Sequence, residues 1–148
     1  MLTRFILAAL ILSCSAIAGA YILAFLPGGA PPLAAWGLAL GSAGVLAAIM
    51  ALGAARNGRL RPIALGSCIL TFLAVGGSFA AALLLPAHEG KDAVLVLGFP
   101  LRTAIVLYGV GIVPLLFLPA AYALSFDADT LTEADLERVR RAAKERGA

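Results

Sequence analysis

The sequence predicts an all-α integral membrane protein, a four-helix bundle with a short C-terminal helix. Three observations lead there. Of 148 residues, 62% are hydrophobic and only 13% charged, against about half and about a quarter in soluble domains. The apolar residues fall into four runs, each near the ~20 residues a helix needs to cross about 30 Å of hydrocarbon. Charge is confined to the loops, the ends of the runs and the tail.

The first run is Phe5 to Leu26, closed by the turn-forming stretch PGGAPP at 27–32. The second is Leu33 to Ala55, closed by RNGRLRP at 56–62, and the third is Ile63 to Leu85, closed by Pro86 and AHEGKD at 87–92. The fourth is Thr103 to Phe126 and stops at Asp127. Backbone groups find no water in hydrocarbon, so each run is predicted to be helical. The Pro and Gly clusters lie between runs, where a chain must turn.

Basic residues at the ends of the runs set the orientation. Arg4, the loop residues Arg56, Arg59 and Arg61, and the tail residues Arg138, Arg140, Arg141, Lys144 and Arg146 fall on one side of a four-span chain. Lys91 and Arg102 fall on the other. Both termini are therefore expected inside, in the cytoplasmic membrane of a bacterium. The first 20 residues also resemble a signal peptide, with Ala16-Ile17-Ala18 as a cleavage pattern. The apolar run continues unbroken through Tyr21 to Leu26, which favours a retained span.

The tail is a different material. Thr130 and Glu133 have capping-box spacing, and acidic residues precede basic ones, an order that suits the helix dipole. Glu137 and Arg141 stand as an i,i+4 pair, and so do Arg141 and Glu145. A cytoplasmic helix over about 131–146 follows, its apolar side thin and its basic end suited to anionic lipid headgroups.

The chemistry that is missing narrows the function. The four runs contain no Asp, Glu, Lys, Arg or His, whereas an ionisable residue inside a membrane helix is the usual mark of an ion path, proton relay or substrate site. His88 is the only histidine and lies in a loop, where a solvated residue is the simpler reading than a metal ligand. Cys14 and Cys68 sit inside apolar runs and read as small packing residues. No phosphate-binding loop, CxxC, GxSxG or HExxH motif occurs. The expectation is a non-catalytic protein without cofactor, metal or nucleic-acid partner.

What the runs do contain is small residues. Gly37 and Gly41 form GxxxG, continued by Gly44 and Ala48; Ser15 and Gly19 repeat the spacing, and Gly66, Gly76 and Gly77 lie in the third run. Such residues let helix backbones approach closely, either within this bundle or against a partner. In the fourth run, Pro114 and Pro119 each remove a backbone donor and are expected to kink the helix. Pro100 separates it from Ala93–Phe99, read as an interfacial or partly re-entrant segment. Gly37, Gly41, Arg102, Pro114 and Pro119 are the candidates for shaping a contact surface.

The stretch GFPLRTAIVLYGVGIVPLLFLPAAYALSFDADTLTEADLERVR, residues 98–140, resembles the last membrane helix of the small accessory subunits of sodium:solute symporters. The matching positions are Gly98, Phe99, Pro100, Leu101, Tyr122 and Asp127. Those subunits usually have two membrane helices, where this chain has four. The resemblance implies a larger integral membrane protein as partner and no catalytic residue here. Two other roles stay open: a homo-oligomeric transporter or channel for a neutral or lipophilic solute, with Ser67, Thr71 and Ser78 lining its groove, and a small subunit of a respiratory or photosynthetic complex.

Overall fold

A computed structural model of the chain describes residues 2–55, 59–86, 95–129 and 133–146. Helix α1 spans Leu2–Ala24, α2 Pro32–Ala54 and α3 Pro62–Leu84. A hairpin of β1 (Leu95–Val96) and β2 (Phe99–Pro100) precedes the fourth span. That span runs through α4 (Leu101–Val106), a π-helical segment (Leu107–Ile112) and α5 (Val113–Asp129); α6 is Glu133–Arg146. Four helices are long and apolar enough to cross a membrane, the fourth counted over Leu101–Ala120. The all-α architecture follows from the apolar runs as expected.

The helices begin slightly earlier than the runs. Pro32 and Pro62 open α2 and α3, where a missing N–H leaves no bond unmade and the fixed φ suits the first turn. Arg4 and Arg102 consequently lie within the first turn of α1 and α4 rather than outside them. A long arginine side chain there can run its stem along apolar surface and keep its charge in the polar layer. At the far end of α1 the ladder tightens: the Phe25 and Leu26 amides donate to Ile22 and Leu23 carbonyls at 3.2 and 3.4 Å. Gly28 and Gly29, with φ of +110° and +95°, then reverse the chain through backbone space that a Cβ disfavours.

The spans pack in series. α1 lies on α2, α2 on α3, and α3 on all three parts of the fourth span. Among the described residues, neither α1 nor α2 approaches the fourth span backbone to backbone, and neither do α1 and α3 approach each other so. The bundle is thus an open row with two inner and two outer members. The most apolar stretch is 28% and 33% buried in α2 and α3, but 11% in α1 and 6% in the fourth span.

Small residues make the core: Ala34, Ala39, Ala43, Ala48 and Ala51 of α2 are buried, and no large side chain is fully so among the described residues. For helices in lipid, which removes the hydrophobic drive to associate, close van der Waals contact must supply it, and small side chains allow the closest contact. One cluster, Ile6, Ala48, Ala51 and Cys68, ties α1, α2 and α3 together near the N-terminal end of α1.

The polar tail stands apart. Among the described residues α6 packs on no other element, and Glu137 through Lys144 are exposed. The expected Glu137–Arg141 pair is present at 3.5 Å, a contact of a few tenths of a kcal/mol on an exposed helix. The Thr130 cap, His88, Lys91 and the Glu145 side chain lie outside the described residues.

The α1–α2 contact gives a direct prediction. A Cβ at Gly41 would meet Ile17 Cγ1 at 2.7 Å and the Ser13 carbonyl oxygen at 3.1 Å, whereas one at Gly53 meets nothing within 4 Å. Gly41→Ile should lower stability by about 1–3 kcal/mol, the range for overpacking a fitted contact, and Gly53→Ala should not lower it. Thermal unfolding of both variants in mild detergent measures the difference.

Candidate functional site

Two places stand out because a glycine or proline there shapes the backbone: the α1–α2 seam and the fourth span. At the seam, α2 presents Gly37, Gly41 and Gly44 to α1. A Cβ at Gly37 would lie 3.1 Å from the Ala20 Cβ and 3.3 Å from the Ala16 carbonyl oxygen, and one at Gly44 would collide with the Ser13 hydroxyl. The α1 face involved is Ser13, Ala16, Ile17 and Ala20. Gly37 and Gly41 thus face their own chain. Ser15 is exposed, and Gly19 has open space around it. On the other side of α2, a Cβ at Gly76 of α3 would stand 3.3 Å from the Ala43 Cβ, while Gly66 and Gly77 face open space.

The fourth span changes hydrogen-bond register just before its first proline. A proline at 114 has no N–H and crowds the carbonyl four residues back, here that of Val110. That carbonyl lies inside the π-helical segment, where the wider turn draws it off the α position. The Val113 amide accordingly donates to the Tyr108 carbonyl five residues back, and the Leu107 amide is shared between the Thr103 and Ala104 carbonyls. Single π turns inside α-helices recur at functional sites. Pro119 lies within α5 one turn further on.

The π segment also makes a close contact with α3. Gly109 lies against Ser78: a Cβ there would overlap the Ser78 hydroxyl and stand 2.7 Å from the Ser78 Cβ. Ser78 Oγ in turn donates to the Ala74 carbonyl at 2.5 Å. Gly111 has open space on the other face, and Leu115 and Leu116 beyond it are about 70% exposed. Of the expected contact residues, Pro114 and Arg102 are half-buried and Pro119 is exposed. These three share the fourth span, with Gly37 and Gly41 two helices away.

Segment 95–100 is a two-residue hairpin, with Leu95 opposite Pro100 and Val96 opposite Phe99. Leu97 and Gly98 at its tip have φ of +50° and +86°, the sign pattern of the type I′ turn that matches strand twist. No turn is expected here from the sequence, because left-handed backbone costs an L-residue such as Leu97 about 1–2 kcal/mol. Leu95, Leu97 and Phe99 are exposed, so the hairpin carries apolar side chains at the mouth of the fourth span.

Three hydroxyls of α3 are bonded within their own helix. Ser67 Oγ donates to the Ile63 carbonyl at 3.0 Å, and Thr71 Oγ1 contacts the Ser67 carbonyl at 2.8 Å and Met50 Sδ at 3.4 Å. With the Ser78 bond, all three hydroxyls read from the sequence as lining a groove face a carbonyl one turn back on α3. Cys14 and Cys68 are both free, the first exposed and the second buried.

The chain was also compared with known protein families, curated proteins and solved structures, and none of them matches it.

The Gly109–Ser78 contact predicts that Gly109→Ala loosens the fourth span from α3, while Gly111→Ala on the open face does not. The loss should be about 1–3 kcal/mol, as for other overpacked contacts, read as a lower unfolding midpoint. Faster thiol labelling of a cysteine placed at Ala104, buried in the fourth span, provides a second readout.

Proposed function

We propose that this small four-span membrane protein is a non-catalytic accessory or structural subunit that packs laterally on a larger integral membrane protein. The observation that carries the reading is the open row. The fourth span is held by α3 along one side, and the opposite side presents Leu107, Ile112, Leu115 and Leu116 outward across a π-helical segment and two prolines. A helix with a π-helical register change and two prolines presents a surface unlike that of a regular helix, and a shaped partner complements it better than fluid lipid does.

The chemistry agrees with a supporting role. The charged residues of the spans, Arg4 and Arg102, sit in their first turns, so the middle of each span has no titratable carboxylate, amine or imidazole with which to move protons or ions. The hydroxyls of Ser67, Thr71 and Ser78 face their own helix, which disfavours a polar conduit along α3. The resemblance of residues 98–140 to symporter accessory subunits makes a cation-coupled solute symporter the first partner to seek. The distribution of arginine and lysine orients the chain with both termini in the cytoplasm of a bacterium, leaving the Leu97 hairpin outside and α6 inside near anionic headgroups.

Purification of the tagged chain from its native membrane in mild detergent tests this. The expected result is one larger integral membrane protein at fixed stoichiometry, lost when Leu115 and Leu116 are both changed to Ala. Recovery of the chain alone, as a monodisperse homo-oligomer, would contradict it.

A further inference from the structure

Neither the packing of the row nor the proposed contact surface makes use of the hairpin at 95–100. From Ala93 to Leu101 no side chain is polar. Residues paired across the strands share a face, so Leu95 and Pro100 lie on one side and Val96 and Phe99 on the other, and both sides are apolar. Leu97, at the tip, is 82% exposed. Among the described residues the hairpin backbone approaches only α4, and every one of its residues but Val96 is exposed.

Three features decide what surrounds it. The hairpin runs into the fourth span without a linker: β2 ends at Pro100, and Leu101 opens both α4 and the stretch long and apolar enough to cross a membrane. Each strand has two residues, about 7 Å at ~3.4 Å per residue, against a headgroup layer about 5–8 Å deep on each side of the hydrocarbon. A hairpin so short, tethered at the start of the span, stays in or close to that layer. Next, a medium that surrounds the hairpin covers both apolar faces, whereas a protein surface seated on one leaves the other in water. Finally, a two-stranded hairpin has two unpaired edges, whose N–H and C=O groups need water or headgroups and so keep it out of the hydrocarbon core.

We infer that the 95–100 hairpin is a lipid anchor: it lies at the boundary between headgroups and acyl chains, sets Leu95, Leu97 and Phe99 into that boundary, and fixes the depth at which the fourth span begins. Of the two placements read from the sequence, interfacial and partly re-entrant, this is the first. It rests on the spans lying in a membrane and not on the subunit role. The tip itself supports it. Leu97 has φ of +50°, backbone that Gly or Asn adopts at lower cost. A leucine held there against that cost is accounted for by insertion, because each methylene leaving water adds favourable transfer energy.

The test uses the full chain, with Cys14 and Cys68 changed to Ser, in phosphatidylcholine nanodiscs. A fluorophore on Leu97→Cys is quenched in turn by iodide in the water, by a nitroxide near the lipid headgroup and by a nitroxide midway along the acyl chain. The headgroup nitroxide is expected to quench about threefold more than either of the others. A fluorophore on Ile112→Cys, exposed near the middle of the span, should be quenched most by the mid-chain nitroxide. That second label reports insertion of the span, so failure of the anchor is told apart from failure of the membrane reading. Leu95→Asn with Leu97→Asn removes apolar groups while suiting left-handed backbone at the tip, and should raise iodide quenching of a label on Phe99→Cys about threefold. Strongest quenching at Leu97 by iodide would place the hairpin in water, and by the mid-chain nitroxide would make it re-entrant; either result overturns the inference. So would a photoactivatable label at Leu97, in native membranes, that joins mainly to a protein instead of to lipid.

Discussion

The backbone of α2 lies against α1 at three glycines, with Ile17 the large side chain seated against Gly41, and the rest of the fold is arranged around that contact. Gly37, Gly41 and Gly44 bring α2 within reach of the Ser13 and Ala16 carbonyls. In lipid this closeness replaces the hydrophobic drive that would hold two helices together in water. Ala43 on the adjoining face of α2 does the same toward Gly76 of α3, so α2 is gripped on two sides and the open row follows from it.

The opposite edge of the row is built by a different device. Pro114 cannot donate to the ladder, and the helix answers with a π-helical segment whose Gly109 nestles against Ser78. The widened turn and the close contact occupy the same six residues. The register change that accommodates the proline therefore also sets how the fourth span rests on α3. Its outward side remains apolar and irregular, and the proposed subunit role depends on that surface rather than on any reactive group.

The spans were legible because hydropathy is a one-dimensional signal: twenty apolar residues in a row need no knowledge of neighbours to be read as a membrane helix. The glycine spacing was legible too, but its use was not. Periodicity shows that Gly37 and Gly41 share a face, while only the chain's path shows that α1 lies on it and that the similarly spaced Ser15 and Gly19 look away. Pro114 announced a disturbance without revealing its form, since a missing donor is compatible with a simple kink or with a shift to i→i−5 bonding. The hairpin at 95–100 was hidden behind Leu97, which gives no turn signal.

Cysteine cross-linking in native membranes, in a background with Cys14 and Cys68 changed to Ser, tests the serial arrangement most directly. Ala20→Cys with Gly37→Cys joins α1 to α2, and Ala43→Cys with Gly76→Cys joins α2 to α3; these positions place Cβ atoms at 3.1 and 3.3 Å, near the separation a disulfide requires. Pairs at matched depth between α1 and the fourth span, such as Leu12→Cys with Leu116→Cys, provide the comparison. The open row predicts rapid disulfides within one chain for the first two pairs and none for the third set. Intramolecular disulfides between α1 and the fourth span, forming as fast as those of α1 with α2, would contradict it and require a closed bundle.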